Sequence, residues 1–127
     1  MAFDAGKQVA YWLRTAADDW RVAQKLLADN EIHQGLFLVH LALEKLLKAH
    51  ACKATNDYAP RIHKLVRLAE LAALDLTQEQ LDVLVDINQY NLEGRYPDVD
   101  LLDIPPTEAH RNFERAKEMY TWLTKQL

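Results

Sequence analysis

Glycine and proline are scarce in this chain, three and four in 127 residues. So few breakers exclude a fold rich in tight turns and favour long helices with short connections. They also exclude a glycine-rich cradle for phosphates, so any nucleotide must be held by side chains. A single cysteine, Cys52, excludes an internal disulfide and has no partner cysteine for a zinc site; it reads as a small packing thiol in a reducing compartment. The opening MAFDAGKQ has no basic stretch leading into an apolar core, and no uninterrupted apolar run approaches the ~18 residues of a membrane span. The expectation is a cytoplasmic protein with no membrane contact. Net charge is −4, which gives no overall nucleic-acid signature.

What is present is a half-apolar chain of one-domain length, 1–127, able to bury a core without staples. Its charge is divided unevenly. Residues 45–67 carry Lys45, Lys48, Lys53, Arg61, Lys64 and Arg67 against Asp57 alone, whereas 68–104 carry nine acids against Arg95. An anionic ligand suits the first stretch and a basic partner the second, beside the plainer reading of two solvated faces.

Hydrophobic periodicity predicts five helices. Over 5–29, Val9, Trp12, Leu13, Ala16, Trp20, Ala23 and Leu27 form one buried stripe. Residues 32–54 are apolar around almost the whole circumference, which marks a central helix. Pro60 is placed to open a third helix over 61–73. Thr77-Gln78-Glu79-Gln80 fits a capping box and starts a fourth, burying Leu81, Leu84 and Ile87. After a long connection over 91–104, Thr107 is the expected N-cap of a fifth, with Ala109, Phe113, Ala116, Tyr120 and Leu123 inward. The expected fold is all-α, an up-and-down four-helix bundle with an additional short helix.

One polar stripe interrupts the central helix: His40, Glu44 and Lys48, each four residues after the last. Glu44 and Lys48 have the favourable orientation for a helical ion pair. On an otherwise apolar helix that pair suggests a lined cleft or a dimer seam, because burying it unpaired costs several kcal/mol, roughly. His40 is read as a satisfied core or interface histidine, with a ligand role as the alternative. A metal site on His40 and Glu44 lacks a third ligand in sequence context, so neither metal nor other cofactor is expected. Lys45, on another face, is expected to snorkel to solvent. Arg95 is the expected clamp for a phosphate or carboxylate, with Tyr96 stacking on a base and Asn91 hydrogen-bonding it; the alternative pairs Arg95 with Glu44 or Asp98. His63 stands near a helix start, as a base or as a cap.

Three strings lie in order along the chain: His40 to Ala49, His63-Lys64-Leu65-Val66-Arg67-Leu68, and Tyr90 through Asp98. With Ala17-Asp18-Asp19-Trp20 before them, the chain resembles the HEPN family, the higher eukaryotes and prokaryotes nucleotide-binding domain, over nearly its whole length. The resemblance implies a helical bundle related to the second domain of kanamycin nucleotidyltransferase. It implies homodimers, a minimal nucleotidyltransferase as partner, and roles from nucleotide binding to RNA cleavage in toxin–antitoxin pairs. The ribonuclease branch carries an arginine followed after four to six residues by a histidine, and that motif is absent. No arginine stands five to seven residues before His33, His40, His50, His63 or His110. The expectation is therefore a module contacting nucleotide or RNA through Arg95, Tyr96, Lys48, Glu44, His63, Asn91 and His40. The alternatives are a metal-independent ribonuclease using His63 and Arg95, and a structural subunit docking through its acidic surface.

Overall fold

The structure, a computed structural model, describes residues 3–91 and 104–127. Helix α1 spans Ala5–Ala28, and the Asp4 side chain caps it by accepting the Lys7 N–H at 3.1 Å. It ends in a left-handed Asn30 (φ 63°), with the Asn30 and Glu31 N–H groups donating back to the carbonyls of Leu27 and Leu26. Asparagine tolerates that conformation better than most residues. The short turn sends the chain straight into α2, Ile32–Thr55. Gly35 is what lets the two helices approach so closely there: a β-carbon on it would lie 2.7 Å from Leu27 Cγ.

Helix α2 is the centre of the molecule, as its all-round apolarity requires. It packs against each of the other four helices, and its Leu36, Leu43, Leu46 and Leu47 are fully buried. From α1, Trp20 closes the core by stacking on Phe113 (5.3 Å between ring centres) and Tyr120 (4.6 Å).

The third helix departs from expectation. Helix α3 covers only Leu65–Leu71, and Pro60 does not open it. The chain over 61–64 remains irregular, and there Ile62 packs against the core and His63 reaches Glu44. The first helical N–H, that of Leu65, is capped from another element by Asn88 Oδ1 at 2.9 Å. Helix α4, Gln78–Asn88, has the full capping box between Thr77 and Gln80. It buries Leu84 and Ile87 as expected, together with Val83, while Leu81 is only partly covered.

Helix α5 runs Pro106–Lys125 with Pro105 at the cap position, so Thr107 lies inside the helix rather than capping it. Proline suits that first turn, where its missing N–H would have had no intrahelical partner. A polar link, invisible to periodicity, joins α4 to α5. Buried Asn112 donates to the Tyr90 hydroxyl at 2.7 Å, and Arg115 donates to Asn112 Oδ1 (3.0 Å) and Asp86 Oδ2 (2.6 Å). Near the end of α5 the Leu123 carbonyl pairs with His50 Nε2 of α2 at 2.8 Å.

The expected all-α bundle is thus present, with α3 as the short addition. Among the described residues there is no strand, and no helix is long and apolar enough to cross a membrane.

Candidate functional site: a buried polar stripe on the central helix

The helical repeat places His40, Glu44 and Lys48 one above another on α2. All three are buried, at 0%, 4% and 7% exposure. Glu44 is the hub. Its Oε2 accepts from Lys48 Nζ at 3.3 Å, and its Oε1 faces His63 Nδ1 at 3.2 Å. The Lys48 ammonium also lies 5.2 Å from the ring centre of Trp12 on α1, within cation–π range. The carboxylate and the ammonium are therefore compensated by each other, by an imidazole and by an aromatic face. That is the condition for burying such a pair.

His63 arrives from the irregular 61–64 segment, with about half its side chain exposed. Because Nδ1 meets the carboxylate, Nε2 is left free of that contact. Arg61 and Lys64, on either side, are exposed. A carboxylate-held imidazole thus stands in the chain between two exposed cations, a combination that suits an approaching anion.

His40 behaves differently from expectation. It is fully buried, yet neither ring nitrogen has a hydrogen-bond partner among the described residues. Burial lowers its pKa to about 4, the backbone of His63 opposing that shift and the imidazole of His63 adding to it. It is a neutral histidine whose ring meets the backbone of His63 outside ordinary hydrogen-bond geometry. Trp12 Nε1, likewise buried, faces the Cys52 thiol and has no stronger partner among the described residues. Two weakly partnered polar groups thus lie beside one buried ion pair, in a core where such atoms are normally well bonded.

The structure brings together Glu44, Lys48 and His63 and sets His40 one turn further along α2. Asn91 lies at the exit of α4, where its N–H bonds the Asn88 carbonyl at 3.2 Å. Arg95 and Tyr96 lie outside the described residues. Lys45, expected to reach solvent, is instead only partly exposed and pairs with Asp19 at 2.7 Å. Trp12 was legible only as a core residue of α1; nothing in its local sequence signals that its face covers Lys48. No set of three or more metal-binding side chains is assembled among the described residues.

The family model described as the HEPN domain matches residues 9–127. Two solved structures share the fold. One is TT1696 from Thermus thermophilus, 21% identical, with a TM-score of 0.77 over 94% of this chain and 98% of that one. The other, described as an archaeal HEPN homologue, ST0689, is 19% identical, with a TM-score of 0.71 over 94% of this chain and 97% of that one. No curated protein matches the sequence.

Proposed function

The chain belongs to the HEPN domain family, and from that premise we propose that it is a nucleotide- or RNA-contacting module. In this reading it forms homodimers and works beside a minimal nucleotidyltransferase subunit in a two-component, toxin–antitoxin-like system. The observation that carries it is the buried His40–Glu44–Lys48 stripe, joined by His63 through the Glu44 carboxylate. In this reading a phosphate entering beside His63 meets the Lys48 ammonium; Arg95 and Tyr96, the clamp and stacking platform expected from the sequence, lie outside the described residues. Calorimetric titration of the protein with a panel of ribonucleotides and a short single-stranded RNA tests the reading. Binding weakened at least tenfold by Glu44→Leu/Lys48→Met, with the fold retained, supports it, and uniform silence across the panel overturns it in favour of a structural subunit.

A second reading rests on one contact, that between Glu44 Oε1 and His63 Nδ1. A carboxylate that orients an imidazole and leaves the other nitrogen outward is the arrangement of a general base. It supports a metal-independent ribonuclease in spite of the missing arginine–histidine motif. Labelled RNA incubated with the protein and a chelator separates the two readings. Cleavage abolished by both His63→Ala and Arg95→Ala favours the nuclease, and intact RNA under conditions where it binds favours the module.

A further inference from the structure

Away from the polar stripe, α4 and α5 leave a groove of about 300 Å³ between them. Its walls include Val83 and Met119, both nearly buried, and the half-buried indole of Trp122. Its polar groups divide into those already used and those not. Thr77 and Gln80 are spent on each other in the capping box. Arg115 is spent on Asp86 and Asn112. Glu79 and Glu118, both exposed, have no hydrogen bond or ion pair among the described residues. The groove therefore couples an apolar, aromatic lining to two carboxylates that no side chain pairs, Glu79 in the first turn of α4 and Glu118 on α5, its one cation being held by Asp86 while Lys117 and Lys125 lie in the adjoining hollow. Such a surface repels phosphates and attracts the opposite charge.

We propose that this groove docks a basic peptide segment of a partner protein, with one arginine or lysine laid along Trp122 between Glu79 and Glu118. The charge complementarity selects the occupant. A long cationic side chain has an aliphatic stem to cover Val83 and Met119 and a charged head for the carboxylates, and a tryptophan face is the best cation–π acceptor among the side chains. The volume stands at the lower end of the roughly 300–1,000 Å³ of small-molecule sites, which suits one long side chain. The groove shares no residue with the stripe on α2, so the proposal stands independently of the function assigned there.

The test uses the full chain and a fluorescein-labelled twelve-residue peptide alternating arginine with leucine, followed by anisotropy. The expected result is binding that falls at least tenfold in the Glu79→Gln/Glu118→Gln variant. A charge-matched Asp18→Asn/Asp75→Asn variant should change it less than twofold. In ¹⁵N spectra, the indole resonance assigned by Trp122→Phe should move on titration while those of Trp12 and Trp20 stay. Equal losses in both double variants would reduce the effect to overall charge and overturn the proposal. Movement of Trp12 instead of Trp122 would do the same. So would a Trp122 resonance that shifts with protein concentration alone, since a second copy would then cover the groove.

Discussion

Two single residues stand in environments that their chemistry opposes, and each gives a measurable consequence. Ala73 follows α3 with φ 55°, and the Ala73 and Leu74 N–H groups donate back to Glu70 and Ala69. This is the glycine-favouring C-terminal turn, built here with a β-carbon in the left-handed region. Ala73 is exposed, so glycine loses no packing there. Ala73→Gly should stabilise the fold by about 0.5–1 kcal/mol net of glycine's greater chain entropy, raising Tm by roughly 2–4 °C. A melt showing a lower Tm would mean that the strain is absent. His40 works through protonation. Folding lowers its pKa from 6.5 to about 4, so between those values the unfolded chain binds a proton that the folded chain does not. Its stabilising effect is complete above the unfolded value and lost as pH falls toward 4. The loss between pH 7 and pH 5 is about 2 kcal/mol. His50, buried and also lowered, titrates in the same direction. Urea melts of His40→Leu at the two pH values should therefore show a shallower dependence than those of the parent.

At the scale of elements, helices were legible where an apolar stripe or a cap is written locally. Helices α1, α2 and α4 lie where periodicity and the Thr77–Gln80 box put them. What failed depended on partners distant in sequence. The start of α3 is set by Asn88 of α4 and coincides with the reach of His63 to Glu44, neither of which residues 60–65 announce. Buried Asn112 was missed for the same reason, since the hydroxyl it donates to, that of Tyr90, is 22 residues away and its polarity argued against burial. Periodicity also gives no distance between neighbouring helices. That distance at the α1–α2 hairpin is set by Gly35, where an added methyl meets Leu27 at 2.7 Å. Gly35→Ala should destabilise by about 1–3 kcal/mol, the usual range for overpacking. Leu27→Ala in the same chain should recover part of that loss, because the clash is with one side chain. A double-mutant cycle in denaturant measures the coupling, and strictly additive losses would mean that the helices do not cross as closely as this.

For the whole molecule, the question is what the polar stripe is for. The sequence showed that Glu44 and Lys48 must be buried together and that His40 shares their face, but not that His63 and Trp12 would enclose them, because those contacts bridge three separate segments. Arg95 and Tyr96, the other half of the expected site, fall outside the described residues. Two roles remain distinguishable by energy. If the stripe exists to hold the bundle together, apolar replacement should weaken the fold. Buried ion pairs seldom stabilise, however: replacing both partners by well-packed apolar groups is neutral or favourable by up to about 4 kcal/mol, whereas removing one partner costs about 3–5 kcal/mol. Glu44→Leu alone strands the Lys48 ammonium on Trp12 and should be strongly destabilising. Glu44→Leu/Lys48→Met should regain most of the parent stability, since His63 is half exposed and water replaces its lost carboxylate. If the stripe serves ligand binding, that same double variant should fold yet lose the nucleotide or RNA affinity of the parent by at least tenfold. Denaturant melts and titration calorimetry on one preparation supply both quantities. A double variant that folds and binds as well as the parent would remove the stripe from the function, and one that fails to regain stability would make it a structural clasp.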